Sequence, residues 1–269
     1  MLRAPAVAGQ FYPADRDALA AAVSELIPEI SPRDKKEALA VISPHAGYIY
    51  SGAVAGLTFA GINIPENVII LGPNHHGLGA PLALMSEGAW EMPMGRVPIN
   101  SDLAALILKH STAIETDETA HRFEHSLEVQ VPFLQAVQPK LTIAPIVVSH
   151  LPYELCRATG EALAKAVKEF GKPVLLVAST DMTHYESRRS ATVKDHLALA
   201  RITGLDPQGL YETVVGRGIT MCGIMPTTIV LTAAIALGAA KAELVRYTDS
   251  GETSGDTDRV VGYAGLIVG

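Results

Sequence analysis

Three histidines follow apolar runs of the sequence closely enough to share one site. They and the runs that they follow are His45 after 38–43, His75 after 67–72 and His184 after 173–178. One histidine after a strand is most often a surface or capping residue, so each is weak evidence alone. The carboxyl ends of neighbouring strands meet at one edge of a sheet, and neutral imidazole offers a lone pair to metal ions. The coincidence of three such turns therefore predicts a converging metal site.

A cysteine is the best candidate for the third ligand of such a site. Two histidines and one anionic ligand leave coordination positions open, as catalytic metals require. Cys222 directly precedes an apolar stretch, 224–237, that we interpret as a buried helix, and a helix N-terminus favours thiolate. The alternative is a buried apolar cysteine, which is the commoner fate of a free thiol. Cys156, in the middle of a predicted helix, fits that alternative better.

The remaining histidines carry weaker signals. His125 lies at the predicted start of a helix and is either a proton carrier or a residue of the helix cap. His150 follows a predicted strand and is a further candidate by position, whereas His76 has no assigned role. We expect the other three to be peripheral or to lie on solvated helix faces: His110, His121 and His196.

The composition of the chain narrows the classes of protein and partner. It has 269 residues, 48% of them hydrophobic, and a net charge of -7, which is typical of a globular protein. Because there is no dense basic block, we expect no nucleic-acid partner. The two cysteines cannot form a disulfide framework and suit a reducing compartment. The longest apolar stretch, 227–240, has about 14 residues against the ~20 of a membrane span, so we expect a cytoplasmic protein with no membrane partner.

Apolar runs alternate with helical periodicities along the whole chain. The predicted strands are 38–43, 67–72, 81–85, 141–148, 173–178, 242–247 and 260–268. The predicted helices are 15–27, 52–59, 102–110, 126–137, 152–170, 191–203, 207–215 and 224–237. Strands that are apolar throughout and alternate with helices indicate an α/β fold whose sheet is covered on both faces. Because no linker or repeat interrupts the pattern, we expect one domain over residues 1–269.

Seven short motifs, in order along the chain, resemble those of the Memo family (mediator of cell motility, also called AmmeMemoRadiSam system protein B). They are 8–13, 43–48, 71–76, 124–128, 179–184, 221–223 and 263–265. The most specific is the combination of His45-Ala46-Gly47-Tyr48 with Gly72-Pro73-Asn74-His75-His76. His150 matches no family motif, which lowers its standing as a site residue.

The resemblance implies a fold and a site similar to those of class III extradiol dioxygenases. That fold is a single three-layer α/β/α domain with a mixed, mostly parallel sheet. The dioxygenases bind non-haem Fe(II) through two histidines and a glutamate, and in Memo-like proteins a cysteine takes the place of the glutamate. Carried over to this chain, the metal ligands are His45, His75 and Cys222. His184 resembles the acid/base histidine, and His125, also in a family motif, is a second catalytic candidate.

The residues and the resemblance leave three functions open. The first is a metal-dependent, dioxygenase-like oxidoreductase, with Fe(II) as the expected ion and copper or zinc as alternatives; an easily oxidised thiolate disfavours ring cleavage itself. The second is a non-catalytic adaptor whose cleft binds a small molecule, a peptide or a radical-SAM-associated protein, because microbial members of the family are associated with radical-SAM partners. The third is metal-free chemistry, with Cys222 as nucleophile and His184 or His125 as base.

Overall fold

A computed structural model of the chain describes residues 2–269. Its strands are β1 (Leu2–Arg3), β2 (Ala40–Ser43), β3 (Asn67–Pro73), β4 (Leu82–Leu84), β5 (Ala89–Met92), β6 (Gly95–Pro98), β7 (Glu115–Thr116), β8 (Thr142–Val148), β9 (Val174–Ser179), β10 (His184–Glu186), β11 (Ala242–Asp249) and β12 (Val260–Val268). Its α-helices are α1 (Arg16–Leu26), α2 (Tyr48–Ala60), α3 (Ser101–His110), α4 (Val131–Val137), α5 (Tyr153–Phe170), α6 (Arg188–Thr203), α7 (Pro207–Gly216), α8 (Ile224–Leu237) and α9 (Gly251–Ser254).

Nine of the strands within residues 2–269 form one mixed sheet. Its order is β10-β12-β2-β9-β3-β8-β4-β7, and β11 also pairs with β12. The central strands β2, β9, β3 and β8 are parallel, whereas β12 and β4 pair antiparallel with β2 and β8. The other strands, β1, β5 and β6, form a separate three-stranded sheet. The predicted mixed sheet is therefore confirmed, and its central strands are the parallel ones.

Helices cover both faces of this sheet, because its central strands are apolar on both sides. In β9, Leu176 and Ala178 belong to one hydrophobic cluster, and Leu175 and Val177 belong to another. Successive residues of a strand point to opposite faces, so the two clusters are the two faces of the sheet. Helices α3, α5, α6, α7 and α8 contribute to the first cluster, and α1, α2 and α4 contribute to the second. The predicted three-layer α/β/α fold is confirmed.

The apolar stretch near residue 230 forms α8, which is packed within the first cluster. It has 14 residues, and Ile229 to Leu231 are fully buried. The prediction of a buried helix here is confirmed. Among residues 2–269, no helix combines the length and the apolar character needed to cross a bilayer.

The predicted helix 126–137 is wrong over its first turns. The α-helix begins only at Val131, after a 3-10 turn at Glu128–Gln130. Ser126, Glu128 and Gln130 are fully buried, and their side chains form hydrogen bonds to residues more than 50 positions away. These tertiary bonds, rather than helical periodicity, set the backbone path here.

Several short elements are not predicted by the sequence. The hairpin β5–β6 has strands of only four residues. The polar stretch 247–258 continues β11 to Asp249 and then forms α9. Helix α3 is capped by Asn100, whose Oδ1 accepts the Leu103 N–H at 3.0 Å.

The carboxyl ends of β2, β9 and β3 lie side by side, because β9 pairs with both other strands. Ser43 at the end of β2 is in register with Ser179 at the end of β9. The chain continues from these ends to His45, Asp181 and His75. The topology therefore brings two of the predicted metal ligands to one edge of the sheet.

Candidate metal centre

Three imidazoles meet at this edge of the sheet. His45, His75 and His125 each present one ring nitrogen, and these three nitrogens lie within 4.8 Å of one another. The ring centroids of His75 and His125 are 4.5 Å apart, and His45 lies 5.3 and 5.5 Å from them. Closely spaced imidazoles are a donor set suited to a transition-metal ion. We call these three residues the histidine cluster.

A buried carboxylate orients His75. Oε1 of Glu124 lies 2.8 Å from Nδ1 of His75, and Oε2 accepts the backbone N–H of the same residue at 2.7 Å. Burial would raise the pKa of Glu124, but the hydrogen bonds from His75 and from the Ser126 N–H hold it well below the usual range. Glu124 is therefore ionised and accepts a hydrogen bond from Nδ1–H of His75. This leaves Nε2 of His75 as the atom free to bind a metal ion.

His45 is the most buried member of the cluster. Its side chain is 2% exposed, and Nδ1 lies 2.9 Å from the hydroxyl oxygen of Ser179. Burial, together with the neighbouring rings of His125 and His75, holds its pKa well below the ordinary value. The ring is therefore neutral at pH 7, as a metal ligand must be.

His125 completes the cluster from the loop before α4. Its Nδ1 lies 3.5 Å from Oε1 of Glu124, and its ring packs against Phe11 at 4.7 Å between centroids. Burial lowers its pKa to about 4, although the Glu124 carboxylate opposes this shift. The sequence left His125 as a proton carrier or a cap residue; the structure places its ring among the predicted metal ligands.

Cys222 lies beside the histidine cluster but outside it. Its Sγ is 3.3 Å from Nε2 of His45 and accepts the Asp181 N–H at 3.3 Å. Burial and the Asp181 carboxyl raise the pKa of the Cys222 thiol above its ordinary value. The expected effect of the helix N-terminus on this thiol is therefore outweighed by burial, and the metal-free side chain is a protonated thiol. The assignment of Cys222 as the third ligand stays a prediction.

Asp181 is a residue of the site that the sequence reasoning did not single out. It is 5% exposed, Oδ1 accepts the His45 N–H at 2.7 Å, and Oδ2 lies 4.0 Å from Nε2 of His45. Burial raises its pKa to about 6, although the N–H bond from His45 and the charge of His184 oppose the shift. Its position directly after β9, in the motif that includes His184, is the signal that could have identified it.

His184 is a half-buried neighbour of the cluster. Its Nδ1 lies 2.9 Å from the carbonyl oxygen of Thr220, and its backbone N–H donates to Oγ1 of that residue. Because a carbonyl can only accept, Nδ1 carries a proton and Nε2 is the free acceptor in the neutral ring. His184 follows Asp181 by three residues, and Oδ1 of Asp181 accepts the His45 N–H. Its catalytic role stays a prediction.

Four further residues that the sequence analysis considered are not members of the histidine cluster. His76 and His150 are exposed, and the ring of His76 contacts that of Phe123. His121 is buried, with Nε2 donating to the Ala83 carbonyl. Cys156 is fully buried in α5, as the sequence predicts.

The buried histidines make the metal-free protein sensitive to acid. Burial lowers the pKa of His121 and of His125 to about 4, whereas the unfolded chain protonates near 6.5. Stability from these rings is complete above about pH 6.5 and is lost as the pH falls toward 4; the raised pKa of Asp181 acts in the opposite sense. We expect urea titration to show a net loss of about 2–3 kcal/mol between about pH 6.5 and 5. A His76→Ala control should show the same loss, and a constant free energy of unfolding would contradict the expectation.

The fold and the cluster define an α/β sandwich protein with a histidine-rich site at the carboxyl edge of its sheet. The family model for Memo-like proteins matches residues 3–267. A MEMO1 family protein of Aquifex aeolicus is 43% identical over 267 residues, with 99% of this chain and 98% of the relative covered. One from Pyrobaculum arsenaticum is 41% identical over 276 residues, with the same coverage. The chain therefore belongs to the Memo family, as the sequence motifs predict.

A solved structure shares the fold. It is the crystal structure of an uncharacterized protein, JW3007, from Escherichia coli K12, with a TM-score of 0.60 and 16% sequence identity. The match covers 85% of this chain and 98% of the other. At this identity, the similarity describes the fold alone.

Proposed function

We propose that this protein binds one transition-metal ion at the histidine cluster and uses it in redox chemistry. The observation that carries the proposal is the approach of three ring nitrogens, from His45, His75 and His125, to within 4.8 Å of one another. Two features support it. The pKa values of His45 and His125 are low enough to keep both rings neutral. The Glu124 carboxylate accepts Nδ1–H of His75 and so fixes the orientation of that ring, as carboxylates do at metal-bound histidines.

Fe(II) is the ion that the resemblance to the dioxygenases implies, and imidazole ligands also suit copper and zinc. A bound ion of this kind supplies a Lewis acid or a centre for electron exchange. Cys222 is a further donor, because its Sγ lies 3.3 Å from Nε2 of His45. The substrate is an unidentified small molecule or peptide.

The residues around the cluster are suited to hold and move protons. Asp181, with a pKa raised to about 6 by burial, exchanges its proton near neutral pH. His184 keeps Nε2 free to accept a proton, because Nδ1 donates to Thr220. We assign proton transfer to His184, with Asp181 as a second carrier beside it.

Metal binding to the protein itself tests the proposal. Metal-free protein titrated anaerobically with Fe(II), Cu(I) or Zn(II) is expected to bind one ion per chain by elemental analysis. A His45→Ala, His75→Ala double variant should lose this binding. His76→Ala is the matched control, because His76 is the exposed neighbour of a proposed ligand. Normal metal content in the double variant would contradict the proposal.

Two single variants decide the third ligand. Loss of metal in His125→Ala assigns that ring as a ligand, whereas retention makes His125 the proton carrier that the sequence also allows. Loss in Cys222→Ala, together with a sulfur-to-metal charge-transfer band in the Co(II)-loaded wild type, assigns the thiolate. These measurements distinguish metal binding by the three histidines of the cluster from binding by the ligand set that the family resemblance implies.

A second candidate function is favoured by exposed apolar residues beside the site. Ile49, Phe123 and Tyr185 are 69%, 53% and 67% exposed, and each lies within four residues of His45, His125 or His184. Such a rim fits an adaptor that binds a peptide or a radical-SAM-associated protein. Pull-down with the radical-SAM protein of the same organism should weaken in Tyr185→Asp and not in Val193→Asp, whose residue on α6 is 62% exposed. Capture unaffected by the rim variant would argue against this function.

A further inference from the structure

We infer that Ser179, held by Gln130 and by the Ser126 carbonyl, is a positioning residue that fixes which ring nitrogen of His45 carries the proton. The proton is placed on Nδ1, and Nε2 is left as a free acceptor on the side of Cys222. The inference concerns the metal-free protein, and its importance for metal binding rests on the proposed function.

Three polar atoms surround the Ser179 hydroxyl. Its Oγ lies 2.6 Å from the carbonyl oxygen of Ser126, 2.8 Å from Nε2 of Gln130 and 2.9 Å from Nδ1 of His45. A carbonyl oxygen can only accept, so the single hydroxyl proton points to Ser126. An amide nitrogen can only donate, so Gln130 occupies one lone pair of the hydroxyl. The remaining lone pair faces His45, whose Nδ1 must therefore donate.

The orientation of the Gln130 amide is fixed independently. Its Nε2 also lies 2.9 Å from the carbonyl oxygen of Pro44. The reverse orientation would place the amide oxygen against that carbonyl, and two acceptors repel. Gln130 therefore donates both of its amide protons, one to Pro44 and one to Ser179.

The surroundings of Nε2 alone would favour the other tautomer of His45, with the proton on Nε2. Oδ2 of Asp181 lies 4.0 Å from Nε2 of His45, and a carboxylate there favours a proton on Nε2. A ring protonated on Nε2 could not bind a metal ion through that atom. The Ser179 hydroxyl therefore keeps the ligand atom free against the attraction of a neighbouring acid.

The same short segment fixes two of the proposed ligand rings, the buried ring of His45 and the more exposed ring of His75. The Ser126 N–H donates to Oε1 of Glu124 at 2.9 Å, and this oxygen is the one that accepts the Nδ1 proton of His75. The Ser126 carbonyl accepts the Ser179 hydroxyl that fixes His45. One peptide unit on each side of Ser126 thus sets equivalent tautomers in His45 and His75, with Nε2 free in both.

The tautomer is measured directly in the unmodified, metal-free protein. Long-range ¹H–¹⁵N correlation spectra of ring-labelled histidine distinguish the two protonated nitrogens. The His45 signals are identified among the nine histidines by their loss in His45→Gln. We expect the wild-type ring to carry its proton on Nδ1 at pH 7. A proton on Nε2 would overturn the inference. The tautomer itself is read in the wild-type protein without metal, and His45→Gln serves only to assign the signals.

Two variants distinguish the positioning of the His45 proton by Ser179 from a general effect on packing. Ser179→Ala removes the acceptor, so we expect the proton to move to Nε2 in much of the population and metal affinity to fall about 10- to 100-fold. Ser43→Ala is the matched control, because Ser43 is equally buried, is in register with Ser179, and its hydroxyl has no hydrogen-bond partner. The control should keep the wild-type tautomer and affinity. A His45 ring unchanged in Ser179→Ala would overturn the inference.

The role of Ser179 and the proposed function can fail independently, because the tautomer and metal binding are measured separately. If the wild type binds no metal ion, the proposed function fails, yet the tautomer of His45 is still determined. If the wild type binds metal but carries the proton on Nε2 when metal-free, the function stands and the role of Ser179 is wrong.

Discussion

Replacement of Glu128 by alanine is expected to lower the free energy of unfolding by about 3–5 kcal/mol, because it leaves the Arg3 guanidinium as an uncompensated buried charge. The two side chains are 0% and 5% exposed, and Nη1 of Arg3 donates to Oε2 of Glu128 at 2.7 Å. Denaturant titration of the metal-free protein measures the loss.

Glu128 also attaches the N-terminal segment to the rest of the molecule. Its carboxylate accepts the N–H groups of Ala6 and Val7 at 2.7 and 3.0 Å and the hydroxyl of Tyr12 at 2.5 Å. Phe11 of the same segment packs against His125. We therefore expect Glu128→Ala to loosen the metal centre as well as the fold.

The matched control for Glu128 is an acid in an exposed ion pair. Glu154 pairs with Arg157 on the surface of α5, where its side chain is 74% exposed. Glu154→Ala should change the free energy of unfolding by no more than about 0.5 kcal/mol. If Glu128→Ala were as mild as this control, the buried pair would not have the stabilising role that its geometry indicates.

Replacement of Glu124 by glutamine is expected to weaken metal binding about 10- to 100-fold although every histidine of the cluster is retained. Glu124 accepts both the ring Nδ1–H and the backbone N–H of His75, and it lies 3.5 Å from Nδ1 of His125. A glutamine keeps the shape but loses the charge and one acceptor, so the His75 ring is free to turn. Calorimetric titration with Zn(II) measures the affinity without redox side reactions.

An exposed glutamate serves as control for this second variant. Glu91 lies on β5 with its side chain 49% exposed. Glu91→Gln changes the net charge by the same amount and should leave the affinity unchanged. Equal losses in both variants would indicate a general effect of charge, and no loss in Glu124→Gln would show that His75 needs no carboxylate behind it.

The fold was largely predictable because its central strands are continuous apolar runs. The runs at 67–72 and 173–178 could only be buried strands, and they became β3 and β9, the middle of the sheet. The hairpin β5–β6 was not predictable in the same way, because its strands have four residues each and neither is a continuous apolar run. The start of α4 was misplaced because Glu128 and Gln130 form tertiary hydrogen bonds that no local pattern reveals.

The candidate site was predictable only where its residues follow strands. His45 and His75 were found by position, and the topology brings them together. Glu124 was not singled out, because its role depends on His75, 49 residues away. The contribution of His125 was open for the same reason: a helix-cap residue and a member of a ligand cluster have the same local sequence. Whether Cys222 or His125 is the third ligand is a matter for the metal titrations.

The long sequence separations within the site have a consequence for how the molecule folds. His45 and Ser179 are 134 residues apart, and His45 and Cys222 are 177 apart. Closing such loops is slow, and it precedes any pairing of the ligands. A metal ion would therefore find the complete histidine cluster only after the sheet has formed. We expect the ion to leave the rate of refolding unchanged and to slow unfolding. The bound ion would therefore stabilise the protein by lowering its rate of unfolding.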